Sequence, residues 1–197
     1  MSPQTASFWL WDAFALSWLA AALWSRRATA RARFGLRFAD TVVTVAGAWL
    51  LFLGSSHFSP LTRYGWVEAG YWPVPDWAGW LATGVVVAGF AFAWWARLTL
   101  GDLWSGNVTR KEGHVIVRSG PYRLVRHPIY TGIILSAFAY GLEVGMAVNV
   151  AGAALLALGF WMKARVEERF LGVELGPAYA DYRATTPMLA PFWPTGR

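Results

Sequence analysis

Five apolar runs, at residues 8–24, 41–53, 77–96, 129–142 and 146–161, leave this chain few ways to fold. Most approach the roughly 20 residues that carry a helix across about 30 Å of hydrocarbon. With 56% hydrophobic and only 14% charged residues, a chain of 197 residues carries more apolar surface than a soluble domain can bury, so a bilayer is its natural solvent. The expected fold is all-α: a polytopic membrane protein of about five transmembrane helices. The second, fourth and fifth runs are short and must tilt, reach into the headgroup region or thin the membrane. Trp9, Trp11, Trp24, Trp72, Trp77, Trp80 and Trp161 lie near run ends, where an amphipathic ring sits at the interface.

The loop charges orient the spans. Arg26, Arg27, Arg31, Arg33 and Arg37 crowd the first connection with no acid among them, which places that loop in the cytoplasm and the N-terminus outside. The next connection, 54–76, sets one Arg against Glu68 and Asp76 and suits the outer face. The segment 97–128 returns to the cytoplasm with Arg97, Arg110, Lys111, Arg118, Arg123 and Arg126. Runs four and five are separated by 141–145 alone, which forces a tight antiparallel hairpin and leaves the C-terminus cytoplasmic. The division expected is a three-span membrane region, 1–98, integrated with a second part, 99–197, made of a cofactor-binding loop, the hairpin and a cytoplasmic tail. No basic residue precedes the first run and no small-residue cleavage site follows it, so the first span is expected to stay.

Two motifs carry the chemistry. Arg126-His127-Pro128-Ile129-Tyr130 opens the fourth span, with Tyr122 just upstream and Gly132 just downstream. Proline suits the first helical turn, so His127 falls at the N-cap beside exposed backbone donors that favour a carboxylate-bearing ligand. At the cytoplasmic end of the fifth span stand Lys163, Arg165, Glu167 and Glu168. Paired acids near a helix C-terminus need a cationic partner, and the intrahelical pairs Lys163–Glu167 and Arg165–Glu168 are the plain structural account. The hairpin, however, brings the end of span five back to the start of span four, so Glu167 and His127 can share one site. A carboxylate beside a His and a Tyr can hold ribose hydroxyls or the amino group of a cationic cofactor.

The loop between spans three and four holds Asn107 and His114, followed by a short extended apolar stretch, Val115, Ile116 and Val117. That stretch is too short to span and would line or cover a pocket; Asn107 and His114 can bond a purine or a carboxylate, or simply satisfy loop backbone. The absence of Cys removes disulfides, thiolate metal sites and a cysteine nucleophile. His57, His114 and His127 are too dispersed for a metal set, and no phosphate-binding glycine fingerprint occurs. The net charge of +6 clusters beside the spans, where anionic lipid and topology account for it without nucleic acid.

The Arg-His-Pro-x-Tyr segment and the downstream Glu-Glu resemble the isoprenylcysteine carboxyl methyltransferase and phospholipid methyltransferase superfamily, over about residues 107–192. The resemblance implies S-adenosylmethionine as cofactor, contacted by Asn107, His114, Val115, Ile116, Val117, Tyr122, His127, Pro128, Ile129, Tyr130 and Glu167, with Glu168 beside it. It also implies an acceptor-positioning cation one turn before the cofactor Glu, an Arg in the family and Lys163 here, with Arg165 as the other candidate. Membrane sterol reductases that use NADPH share these elements loosely and form the second reading; a non-catalytic scaffold is the third. Methyl transfer from a sulfonium is an in-line displacement, which asks the protein to align two molecules and exclude water. The acceptor implied is a lipid or other lipophilic molecule, most like a prenylcysteine carboxylate, with a phospholipid amine or small thiol as alternatives. No obligate protein partner is evident, and the Ala, Arg and Trp content points to a bacterial inner membrane.

Overall fold

A computed structural model describes residues 1–22, 30–31, 35–53, 71–101, 109–110 and 116–191. Its long elements are helices: α1 (Pro3–Ala22), α2 (Gly35–Leu53), α3 (Asp76–Leu100), α4 (Pro128–Val144) and α5 (Ala147–Leu175), followed by a short α6 (Pro177–Thr185). A 3-10 turn, Gly120–Arg123, precedes α4. Two-residue strands β1 (Ala30–Arg31) and β2 (Thr109–Arg110) pair antiparallel, so the first and third connections meet at one end of the bundle. At the opposite end Tyr71 bridges Met146. The chain is a helical membrane protein: α3 and α5 are long and apolar enough to cross a bilayer, and Phe38–Phe52 and Pro128–Val144 are shorter apolar helices.

Close packing of α2 on α5 rests on small residues. A Cβ on Gly152 would fall onto the backbone of Leu51, one on Gly47 onto Leu156, and one on Gly159 onto Thr44. Lipid tails are as apolar as the helix surfaces, so such backbone approach, rather than hydrophobic burial, holds membrane helices together. Gly89 and Gly132 do the same for α3 and α4, where Ser136 Oγ donates to Val86 O at 3.0 Å. Helix α1 lies on α3 through aromatic rings, with Phe14 stacked on Phe90 at 4.2 Å and Trp11 edge-on to Phe90 at 4.8 Å.

The hairpin is tighter than the sequence suggests. Residues 141–144 remain helical, and Gly145, with φ 75°, closes α4 in the left-handed conformation that glycine alone adopts cheaply. Glu143 is consequently inside the bundle, accepting from Thr83 Oγ1 at 2.8 Å, while Ser7 Oγ donates to Thr83 Oγ1 at 3.1 Å. Helix α5 also outlasts its apolar run. At 1.5 Å per residue its 29 residues extend about 44 Å, some 14 Å more than the hydrocarbon is thick, so roughly nine residues, enough to include Glu167 and Glu168, are more than a perpendicular crossing needs.

The glycine contacts make a stability prediction. Gly152→Ala must push α2 away from α5 and should cost about 1–3 kcal/mol, whereas Gly172→Ala, with nothing near its added methyl, should stabilise by roughly 0.5–1 kcal/mol. Thermal unfolding of both variants in detergent, followed by tryptophan fluorescence, checks the opposite signs.

Candidate active site at the junction of α4, α5 and the tail

Where α4 begins, Pro128 occupies the first turn and His127 the N-cap, with φ −123°. The backbone just before the helix is held by the returning tail: Arg126 N donates to Pro187 O at 2.9 Å and His127 N to Met188 O at 3.1 Å. Thr131 Oγ1 donates to Leu189 O at 2.6 Å. The 3-10 turn is fastened to α6 by Tyr182, whose hydroxyl donates to Tyr122 O at 2.7 Å. Burial pushes the Tyr182 phenol up to about 12, so it stays a donor across the physiological range.

The overhanging turns of α5 bring two acids to this corner with different partners. Glu168 Oε1 accepts from Arg126 Nε at 2.7 Å, and Arg126 Nη2 lies 2.5 Å from the same oxygen. Arg126 Nη1 donates to the carbonyls of Arg183 and Thr186, so one buried guanidinium ties α5 to the tail. Glu167 turns the other way: Tyr130 Oη donates to its Oε1 at 2.7 Å, and His127 Nδ1 is 3.3 Å from its Oε2. The His127 and Tyr130 rings stack 4° from parallel at 5.5 Å. Lys163 Nζ sits 5.3 Å from the centre of the Tyr130 ring.

Burial alone would lower the His127 pKa, but its contacts with Glu167 and Glu168 outweigh that and raise it. Burial alone would raise both carboxylates; His127, with Lys163 and Tyr130 on Glu167 and Arg126 on Glu168, brings both below the usual range. His127 Nε2, 3.4 Å from Glu168 Oε1, is buried without a hydrogen-bond partner. A buried N–H in that condition is an open donor for a ligand acceptor. With Glu167 as acceptor and only partly buried, the corner offers complementary groups to an amino acid or a ribose diol.

Residues 80–172 match the isoprenylcysteine carboxyl methyltransferase family. The matched segment is just under half of the chain. Within the family segment fall Tyr122, His127, Pro128, Ile129, Tyr130, Lys163, Arg165, Glu167 and Glu168. A cobalt-zinc-cadmium resistance protein of Cupriavidus metallidurans is 35% identical over 98 residues, covering 47% of this chain and 44% of that protein. Protein-S-isoprenylcysteine O-methyltransferase B of Arabidopsis thaliana is 30% identical over 89 residues, covering 43% of this chain and 44% of that protein. The match thus spans less than half the length of either relative.

Of the residues singled out from sequence, His127, Tyr130, Glu167 and Lys163 come together, with Pro128 and Ile129 buried under them in the first turn of α4. Tyr122 lies buried next to Ile129 and Val117 packs onto them. Arg165 projects elsewhere, over the Trp161 ring at 5.5 Å. Ile116 is described but makes no contact with the cluster that can be stated, and Asn107, His114 and Val115 lie outside the described residues. Arg126 was not singled out as a site residue, because an Arg at a span end ordinarily reaches for headgroups. The two adjacent acids, two turns before the end of α5, were the available signal that a buried cation had to answer them.

The stability linked to these charges has a defined sign. His127, raised above its ordinary value near 6.5, stabilises fully below that value and loses its contribution as pH rises through the raised one. The lowered carboxylates contribute above the ordinary carboxylate range and lose it as pH falls through their depressed values. The melting temperature should fall between pH 6.5 and pH 9, and His127→Gln should flatten that fall; parallel slopes in the two proteins would show that His127 is not its source.

Proposed function

We propose that this protein transfers a methyl group from S-adenosylmethionine to a lipophilic acceptor held in the membrane. The observation that carries this reading is the pairing of Glu167 with His127 and Tyr130 at the C-terminal end of α5, next to a buried His127 Nε2 that makes no hydrogen bond among the described residues and only a 3.4 Å contact with Glu168. The donor set suits the cofactor: Glu167 can accept from its ribose hydroxyls or its ammonium, and His127 Nε2 can donate to a cofactor acceptor. When bound, the cofactor supplies an activated methyl on a sulfonium. The protein's part is orientation and exclusion of water, to which the tail packed across residues 126–131 contributes.

Lys163 lies on the same side as the Tyr130 ring, one turn nearer the membrane than Glu167, where the head of an acceptor sliding between the spans would arrive. In this reading the Arg-rich first connection faces the cytoplasm, the cofactor enters from there and the acceptor enters sideways from an inner membrane. The match of residues 80–172 to a methyltransferase family supports the reaction class. Glu168 has a positioning role, since its Oε1 is held by Arg126 beside the His127 ring and its Oε2 lies 4.0 Å from Arg183 Nε.

Calorimetric titration of the detergent-purified protein separates the readings. S-adenosylhomocysteine should bind and NADPH should not; binding of NADPH alone would overturn the proposal in favour of a reductase. Glu167→Gln should weaken S-adenosylhomocysteine by about tenfold or more and lower the melting temperature less than Glu168→Gln does. Glu168→Gln should be chiefly destabilising, because it strands Arg126 as a buried unpaired cation at a cost of about 3–5 kcal/mol.

A further inference from the structure

Asp40 lies on α2, upstream of the family segment, and is 4% exposed. Residues 40, 44, 47 and 51 form one helical stripe, and the last three of these meet α5 at 159, 156 and 152 in turn. Carrying that register one further turn sets Asp40 level with Lys163. That register puts it on the side of the site where Lys163 covers the Tyr130 ring. The backbone carbonyl of Asp40 accepts from Thr44 Oγ1 at 2.7 Å, but its side-chain Oδ1 is buried with no hydrogen-bond partner among the described residues. An ionisable group inside an apolar helix is costly, and an unsatisfied oxygen on it is more so.

We propose that Asp40 faces the acceptor and takes a proton from it, so that the acceptor is a lipophilic amine or thiol rather than a carboxylate. The inference rests on the methyl-transfer reading above. Lys163 alone would receive an acceptor carboxylate. Asp40 opposite it offsets that charge and would repel a second carboxylate, which in any case has no proton to lose. An amine or thiol reaches the methyl carbon as a neutral or anionic nucleophile only if its proton is removed. The acceptor atom forms the new bond to carbon, the pair of the broken carbon–sulfur bond stays on the departing sulfur, and the proton of the acceptor passes to Asp40.

The test uses the full chain in lipid nanodiscs with methyl-labelled S-adenosylmethionine and three probes: dodecylamine, dodecanethiol and N-acetyl-S-farnesylcysteine. Dodecylamine or dodecanethiol should be methylated, and Asp40→Asn should lower kcat by about 100-fold or more while S-adenosylhomocysteine binds it as it binds the wild type. A readout without turnover accompanies this: the amine or thiol should raise the melting temperature of the S-adenosylhomocysteine complex of the wild type but not of Asp40→Asn. Methylation of the farnesylcysteine alone, or an Asp40→Asn variant with undiminished kcat, overturns the proposal. So does a fall in melting temperature for Asp40→Asn and Lys163→Met that is no larger in the double variant, since that marks a purely structural ion pair. Loss of S-adenosylhomocysteine binding in the wild type itself would instead bring down the methyl-transfer reading.

Discussion

Glu168 is a carboxylate buried to 7% exposure, and an ion so placed is stable only with a well-aligned counter-charge. Arg126 supplies it through two nitrogens on one oxygen, and His127 brings a second positive edge to the same atom. Because Arg126 and His127 immediately precede α4, satisfying Glu168 fixes where that helix starts relative to the end of α5. The remaining guanidinium nitrogen is what the tail carbonyls of Arg183 and Thr186 answer. Glu167, one residue earlier and about 100° around the helix, is thereby aimed at Tyr130 and His127 Nδ1. One carboxylate is used to build the corner and its neighbour is left to face it.

The bilayer makes this corner possible. Helix α4 begins at Pro128 while α5 runs on to Leu175, well past its apolar run, so the charged turns of α5 lie over the first turn of α4. Glycine contacts along α2 and α5 give the overhang a rigid stem. At the other end, Glu143 bonded to Thr83 and the left-handed Gly145 hold the hairpin closed. A loosely packed hairpin would let His127 and Glu167 drift apart, and hydrogen bonds of 2.7 Å tolerate little drift.

Sequence pattern revealed the five long helices because hydrocarbon demands long apolar runs, and it placed His127 at an N-cap because Pro128 fits only the first turn. It carried α5 as far as the two acids but missed its last turns and the whole of α6, where no apolar run marks the helix. The two acids drew intrahelical partners on paper; in the fold Glu168 reaches across to Arg126, forty-two residues away. Such a pairing depends on how tightly the hairpin turns, and residues 141–144, read as loop, continue the helix instead. Asp40 escaped notice for a related reason: next to five arginines a single acid looks like charge balance, and only the register of α2 on α5 turns it inward.

The family segment, 80–172, contains the His127, Tyr130 and Glu167 cluster but neither Asp40 nor the tail from Pro187 to Leu189. The division has a chemical logic on the proposed reading. A cofactor of fixed structure demands fixed partners, and those come from α4 and α5. What meets the acceptor comes partly from α2, where Asp40 stands apart from the Arg126 and Glu168 pair and can be exchanged without removing it. Replacing Asp40 by a neutral residue would remove one negative charge from the side of the site that holds Lys163 and turn the same corner toward anionic acceptors. The charge carried at position 40, rather than the Arg-His-Pro-x-Tyr segment, is then the place where two proteins with this cluster would differ in what they methylate.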